Sequence, residues 1–222
     1  MAGLQDFATF EDDFFGADTF STAGQGSPWA IADTSSAGTP TYATVTPSAT
    51  GEVALTLEAT SEVQNVCLSF GDKLCFDIDN IQRFETRLKV TGCTSGTTIS
   101  WGLGSARNDT PASMTALALF QMVGATSTTA VTIETDDNVT DTAPVTSGQT
   151  LATTYKRFVI DFTGGKSNVK FYIDGVRVGA STTFTMNGYT GSLQPFFQIQ
   201  KAANTNVDAI TIDYVAVECK RL

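Results

Sequence analysis

The chemistry open to this chain is set first by a residue type it lacks: none of its 222 residues is histidine. That removes the commonest general base and zinc ligand, and with them the Ser-His and Cys-His nucleophile pairs. Carboxylates are left as the acid–base groups. To act across a glycosidic bond by a retaining mechanism, two of them must share a strand face about 5–5.5 Å apart. In "FEDDFF", Glu11, Asp12 and Asp13 are consecutive, so neighbours point to opposite faces of a strand. "IETDDN" puts Glu134 and Asp136 on one face before Asp137 and Asn138 turn away, and "FDIDN" does the same with Asp77 and Asp79. Glu85 and Asp161 are the only strand-borne carboxylates that would repay mutation.

Oxygen clusters at Asp136, Asp137, Asn138 and Asp141, and at Asp72, Asp77, Asp79 and Asn80, raise calcium as a candidate. Calcium takes about six to eight oxygens, more than either loop supplies, and the same residue types close Asx-turns. The expectation is no metal and no cofactor. The four cysteines, Cys67, Cys75, Cys93 and Cys219, form no C-x-x-C pair. They read as small buried hydrophobes, with a Cys67–Cys75 bridge across "CLSFGDKLC" as the open alternative. Sugar binding asks for aromatic and amide groups on an exposed sheet face. Tyr189, Gln194, Gln198 and Gln200 are the candidates, whereas Trp101 alternates with Ile99 and Leu103 and belongs to a core. Phe7, Phe10, Phe14 and Phe15 crowd among acids near the start. They either cap the protein's own fold or dock on a partner.

The elements that must position these residues are strands. Thr, Ser and Gly are abundant and charge is sparse, at 16% of residues with a net balance of −10. An acidic surface repels phosphate backbones, so nucleic acid is not an expected partner. No apolar run approaches the roughly 20 residues a spanning helix needs, and the start has neither the basic nor the apolar region of a signal peptide. Alternation is clean in "EVALTLEA" (52–59), in "IQRFETRLKV" (81–90) and in "SNVKFYIDGVRVG" (167–179), where Asp174-Gly175 marks a tight hairpin. Strands are also expected at 65–70, 97–105, 129–135, 155–163, 193–202 and 208–218. The run at 116–124 is ambiguous, since Thr110-Pro111 is able to open a short helix, and Pro195 is expected to start its strand. The whole reads as one all-β domain, a two-sheet antiparallel sandwich over residues 51–222, with residues 1–50 as an N-terminal arm and wrapping segment anchored by Trp29 and Tyr42.

"VKFYIDGVRV" followed by "LQPFFQIQKA" and "ITIDYVAVE" resembles the closing half of concanavalin A-like (laminin-G-like) jelly-roll domains, and "RFETRLKV" before "ISWGLGSA" resembles their middle. The opening "FEDDFFG" is similar to the starts of jelly-roll proteins in tailed-phage virions. Glycanases of this superfamily carry carboxylates spaced as E-x-D-x-x-E on one strand, a pattern none of the acid pairs above completes. The resemblance therefore implies a non-enzymatic virion protein made in the host cytoplasm: a capsid decoration subunit, trimeric in many such proteins. Its partners would be the major capsid protein and copies of itself, with Phe7, Phe10, Phe14 and Phe15 as contacts. The alternative is a carbohydrate-binding adhesin that meets a host glycan through Tyr189, Gln194, Gln198 and Gln200.

Overall fold

Alternating side chains make the strands of this protein, and two stacked sheets bury their apolar sides. The fold is that of a computed structural model in which residues 6–15 and 28–221 are described. Along those residues run β1 (Phe7–Asp12), β2 (Ala30–Asp33), β3 (Thr41–Thr44), β4 (Val53–Thr56) and β5 (Glu62–Ser69). The short β6 (Phe76–Asp77) precedes β7 (Ile81–Val90), β8 (Thr97–Gly104), β9 (Leu117–Val123), β10 (Ala130–Asp136) and β11 (Asp141–Thr150). Then come β12 (Lys156–Asp161), β13 (Lys170–Ile173), β14 (Val176–Val178), and the long β15 (Ser192–Asn204) and β16 (Ala209–Lys220).

The first sheet has the order β14-β13-β12-β7-β16-β4-β3, with β1 adding to β16 beyond the end of β4. The second has the order β11-β10-β9-β8-β15-β5-β2, with β6 adding to β15. The pairings within both are antiparallel. This is the concanavalin A-like jelly-roll sandwich that the sequence suggests.

In β7, Phe84, Thr86, Leu88 and Val90 are buried while Arg83, Glu85, Arg87 and Lys89 face outward. Facing them across the core, Trp101 lies parallel to Phe120 at 5.9 Å and edge-on to Phe158 at 4.9 Å. Each fully buried aromatic of this kind contributes about 1.5–3 kcal/mol by area removed from water. Asp174 and Gly175, both at positive φ (50° and 79°), join β13 to β14 as a tight hairpin requires.

One open reading is settled and three expectations are corrected. Residues 117–123 are a strand, and the only helical turn in the described residues near them is a short 3-10 stretch, Pro111–Ser113. The run hid its period because both faces are buried: Ala118, Phe120 and Met122 meet the main core, and Leu117 and Leu119 meet a second cluster outside the sheet. Pro195 lies inside β15 rather than at its start. It falls between the residues paired with β6 and those paired with β5, where its missing N–H interrupts no ladder on that side. Cys67 and Cys75 are both free thiols, Cys67 buried in the second cluster and Cys75 exposed. Within the first fifty residues, β1, β2 and β3 are strands of the sheets and not only a wrapping arm.

Phe10 and Phe14 turn inward. Phe10 packs on Trp29, Phe70 and Phe76, and Phe14 on Trp29, whose exposure is 1%. Asp12 accepts hydrogen bonds from the Phe14 N–H (2.8 Å) and the Trp29 indole N–H (2.7 Å), which fixes where the segment crosses the core. Gly51 allows that crossing, since a Cβ there would stand 2.1 Å from the Asp13 carbonyl oxygen. Phe14 is therefore spent on the protein's own core and Phe10 in part, whereas Phe7 and Phe15 face solvent.

Candidate functional site

The outer face of the second sheet is graded along its strands. Thr98, Gln200 and Asn65 form one row across β8, β15 and β5. The next row is Gln121, Ser100, Gln198 and Cys67, and the one after it Glu134, Leu119, Gly102 and Phe196. A polar end thus passes into an apolar middle, where Cys67, Met114, Leu117, Leu119 and Phe196 cluster outside the sheet. The loop between β8 and β9 roofs that middle. Gly104 makes room for it, because a Cβ there would meet the Met114 sulfur at 2.7 Å.

Hydrogen bonds hold the roof at both ends. At one, Gln198 Nε2 donates to Asn65 Oδ1 (3.0 Å) and the Asp109 carbonyl (2.8 Å), and Asn65 Nδ2 donates to Asp109 Oδ1 (3.1 Å). Thr34 Oγ1 donates to the same carboxylate at 2.8 Å, and Arg107 pairs with it closely. The Arg107 hydrogen bond, then that of Thr34, holds the Asp109 carboxyl below the usual range. At the other end Gln194 Nε2 donates to Asp72 Oδ1 (2.7 Å) and the Ser105 carbonyl (3.2 Å), while its Oε1 accepts from the Asp72 N–H (3.1 Å).

Beyond the first of these ends lies an open cleft of about 400 Å³, lined among others by Thr34, Asn65, Thr98, Asp109, Thr110 and Gln200. Its walls carry hydroxyls, amides and one carboxylate, groups that exchange hydrogen bonds with sugar hydroxyls, with Lys201, Val63, Gly96 and Ala202 between them. Beside it Gln198 Oε1 is buried with no donor among the described residues, although the side chain is 1% exposed. A buried acceptor left without a donor is costly in free energy.

Of the residues expected to bind sugar, Gln200 lines this cleft and Gln198 lies in the adjoining row. Gln194 is 1% exposed and ties down the roof. Tyr189 is elsewhere: it packs on the main core, its hydroxyl donates to the Ser192 carbonyl (3.2 Å) and its own carbonyl accepts from Lys166 Nζ (2.9 Å). Asn65, Thr98 and Asp109 complete the cleft and were not singled out. Strand alternation could have found Asn65 and Thr98, but nothing local marks a loop aspartate.

Among the carboxylates, Glu134 stands out. It lies outward on β10 beside Leu119, is 6% exposed, and shares its face with Asp136, which opposes Asp141 across the β10–β11 pair. Burial, reinforced by Asp141 and Asp136, pushes its carboxyl up to about 7. Glu85 is clamped instead on the opposite sheet by Arg83 and Tyr214, with Arg157 3.6 Å away. Asp161 takes the Thr163 N–H (2.8 Å) and hydroxyl (2.6 Å). The loop aspartates close turns: Asp77 accepts from the Asp79 N–H, Asp136 from the Asn138 N–H, and Asp137 from the N–H groups of Val139, Thr140 and Gly188. Among the described residues no three His, Cys, Asp or Glu side chains stand together to hold an ion.

No known family profile matches the chain, and no curated protein matches it in sequence. Solved structures match by fold. A Bacteroides ovatus mixed-linkage glucan GH16 protein, solved with its G4G4G3G product, is 13% identical with a TM-score of 0.64, covering 94% of this chain and 99% of its own. A Bacillus licheniformis β-glucanase is 15% identical with a TM-score of 0.61, covering 96% and 98%. The Emp47p carbohydrate recognition domain is 12% identical with a TM-score of 0.60, covering 100% of both chains. At these identities the likeness shows the fold. It also overturns the expectation of a non-enzymatic protein: much of the company this fold keeps is glycoside hydrolases, and a missing E-x-D-x-x-E spacing is too narrow a ground for excluding catalysis.

Proposed function

We propose that this chain is a carbohydrate-binding jelly-roll module whose cleft over Asn65, Thr98 and Gln200 takes a stretch of glycan. The carrying observation is the cleft itself: amide, hydroxyl and carboxylate groups and Lys201 line about 400 Å³ of open space. A carbohydrate recognition domain and glucanases among the neighbours support the reading by analogy of fold. The test is a glycan screen followed by titration of any hit against Gln200→Ala and Asn65→Ala. Gln200→Ala weakens binding about tenfold, the loss of one or two sugar hydrogen bonds at about 0.5–1.5 kcal/mol each. A full screen without a hit, or unchanged affinity in both variants, would count decisively against the cleft.

A second reading, glycan hydrolysis on the same face, is favoured by Glu134. A carboxyl at about 7 is half protonated near neutral pH, as a general acid must be, and Asp136 lies next on its face. Reducing-sugar release from any glycan that binds, abolished by Glu134→Gln, is the check.

A place on a phage head is a third and weaker reading. It draws on the start of the sequence, and with Phe14 buried in the core and Phe10 packed partly against it, Phe7 and Phe15 are the phenylalanines most open to a shell. Counting copies per banded particle decides it: hundreds would favour a decoration subunit, and none would end the idea.

A further inference from the structure

The outer face of the first sheet carries a feature that the cleft on the second does not use. Around Tyr172 stand four of the chain's thirteen basic residues: Arg177 opposite it on β14, Lys170 beside it on β13, and Arg157 and Arg83 on β12 and β7. The acids that face them are Glu85, Asp161, Asp174 and, opposite Arg83 on β16, Glu218. In a chain of net charge −10, this patch is charge-balanced.

The cations differ in how they are held. Arg83 is bound to Glu85, and Tyr214 also donates to that carboxylate, so Glu85 is already neutralised. Arg157 has only a loose contact with it at 3.6 Å, donates no side-chain hydrogen bond among the described residues, and is 46% exposed. Between these groups lies a hollow of about 270 Å³, lined by Arg83, Arg157, Val159, Asp161, Thr163 and Tyr172. Val159 points outward yet is only 6% exposed, giving the hollow an apolar floor next to the Tyr172 ring. The tight Asp174-Gly175 turn forms its rim. Without a side chain, Gly175 leaves Arg157 Nη2 uncovered: even a Cβ would stand 3.8 Å from it.

We infer that this hollow is a second saccharide site, selective for a carboxylate-bearing sugar residue. A guanidinium fork with free N–H groups matches a planar carboxylate in charge and geometry. Val159 and the Tyr172 ring offer an apolar surface to the C–H face of a pyranose, and Asp161 and Thr163 offer acceptors to its hydroxyls. A neutral sugar would leave Arg157 without its partner. The volume suits one ring, whereas the larger cleft on the other sheet, about 400 Å³, has room for more than one. This site shares no residue with that cleft, so it stands or falls separately from the glycan-binding reading.

The experiment is calorimetric titration of the full chain with tri-galacturonic acid and, in parallel, with an uncharged trisaccharide of galactose. The acidic probe binds, binds more weakly as salt is raised, and loses about tenfold in affinity on Arg157→Gln, the scale of one charge-assisted hydrogen-bonded pair. Arg157 is half exposed, so the variant keeps its fold, and an unchanged melting temperature checks this. Arg177→Gln is the companion variant and weakens the same probe by a smaller factor. Gln200→Ala leaves acidic binding untouched. No binding of the acidic probe, equal binding of both probes, or an Arg157→Gln affinity equal to that of the unaltered chain would overturn the inference.

Discussion

Glu134 shows how far one side chain's chemistry depends on neighbours remote in sequence. Its spacing from Asp136 is readable at once; its burial is not, because Leu119 and the β11 strand that cover it arrive through pairing. Folding raises its carboxyl from the ordinary 4.5 to about 7. The folded chain therefore holds this proton more tightly than the unfolded chain does. Its contribution is fully favourable below pH 4.5 and is lost as pH rises through about 7, amounting to as much as ~3 kcal/mol at pH 8. Glu134→Gln keeps the shape and removes the titration. Urea unfolding at a series of pH values should show the variant flatter between pH 5 and 8 and more stable than the parent at the upper end. Identical slopes would mean that the carboxyl finds water or a partner when it ionises. The glutamines teach the same lesson at this scale. Alternation in "LQPFFQIQ" assigns Gln194, Gln198 and Gln200 to one face, which is where they lie, but only the roof loop decides that two of them are buried and one lines a cleft.

Elements were the most legible level wherever one face of a strand met water. β7 alternates in sequence and in burial alike, and the Asp174-Gly175 turn was visible as a dipeptide. Legibility failed where both faces are covered, as in β9, and where an element exists only through its partner, as in β1. The aromatic arm belongs to this second kind: the crowd of phenylalanines was plain, but not that Trp29 would draw Phe10 and Phe14 under the sheets. Trp29 touches Phe10, Phe14, Phe70 and Phe197, and so joins β1 and β2 to the core between the sheets. Trp29→Ala should cost about 3–5 kcal/mol and lower the melting temperature by roughly 10 °C. The loss should be local first. Amides of β1, and those of Val215 to Lys220 in β16 that point to β1 rather than to β7, should lose hydrogen-exchange protection before those of β7. Uniform loss across both strands would show that the arm unfolds only with the whole domain.

At the scale of the whole molecule, the sandwich separates two surfaces of different chemistry. One sheet presents amides and hydroxyls beside an apolar roofed strip, and the other presents paired charges around tyrosines. The core between them is built of side chains from both inner faces, in sheets that stack about 10 Å apart. Residues on opposite outer faces share no contact, and mutational effects at such separations add to within about 0.5 kcal/mol. A glycan carrying both a neutral stretch and an acidic residue meets the two sites only if it wraps an edge of the sandwich or joins two molecules. The double variant Asn65→Ala with Arg157→Gln decides how the faces are used. For short probes, each filling one site, the neutral sugar should feel only the first substitution and the acidic sugar only the second. For a long mixed polymer, the two losses should multiply if one chain engages both faces at once, because the second contact is then made at high effective concentration. If each single variant loses little and the double variant loses only about what the short probes lose, either face alone holds the polymer, and the sandwich is a partition between two independent receptors.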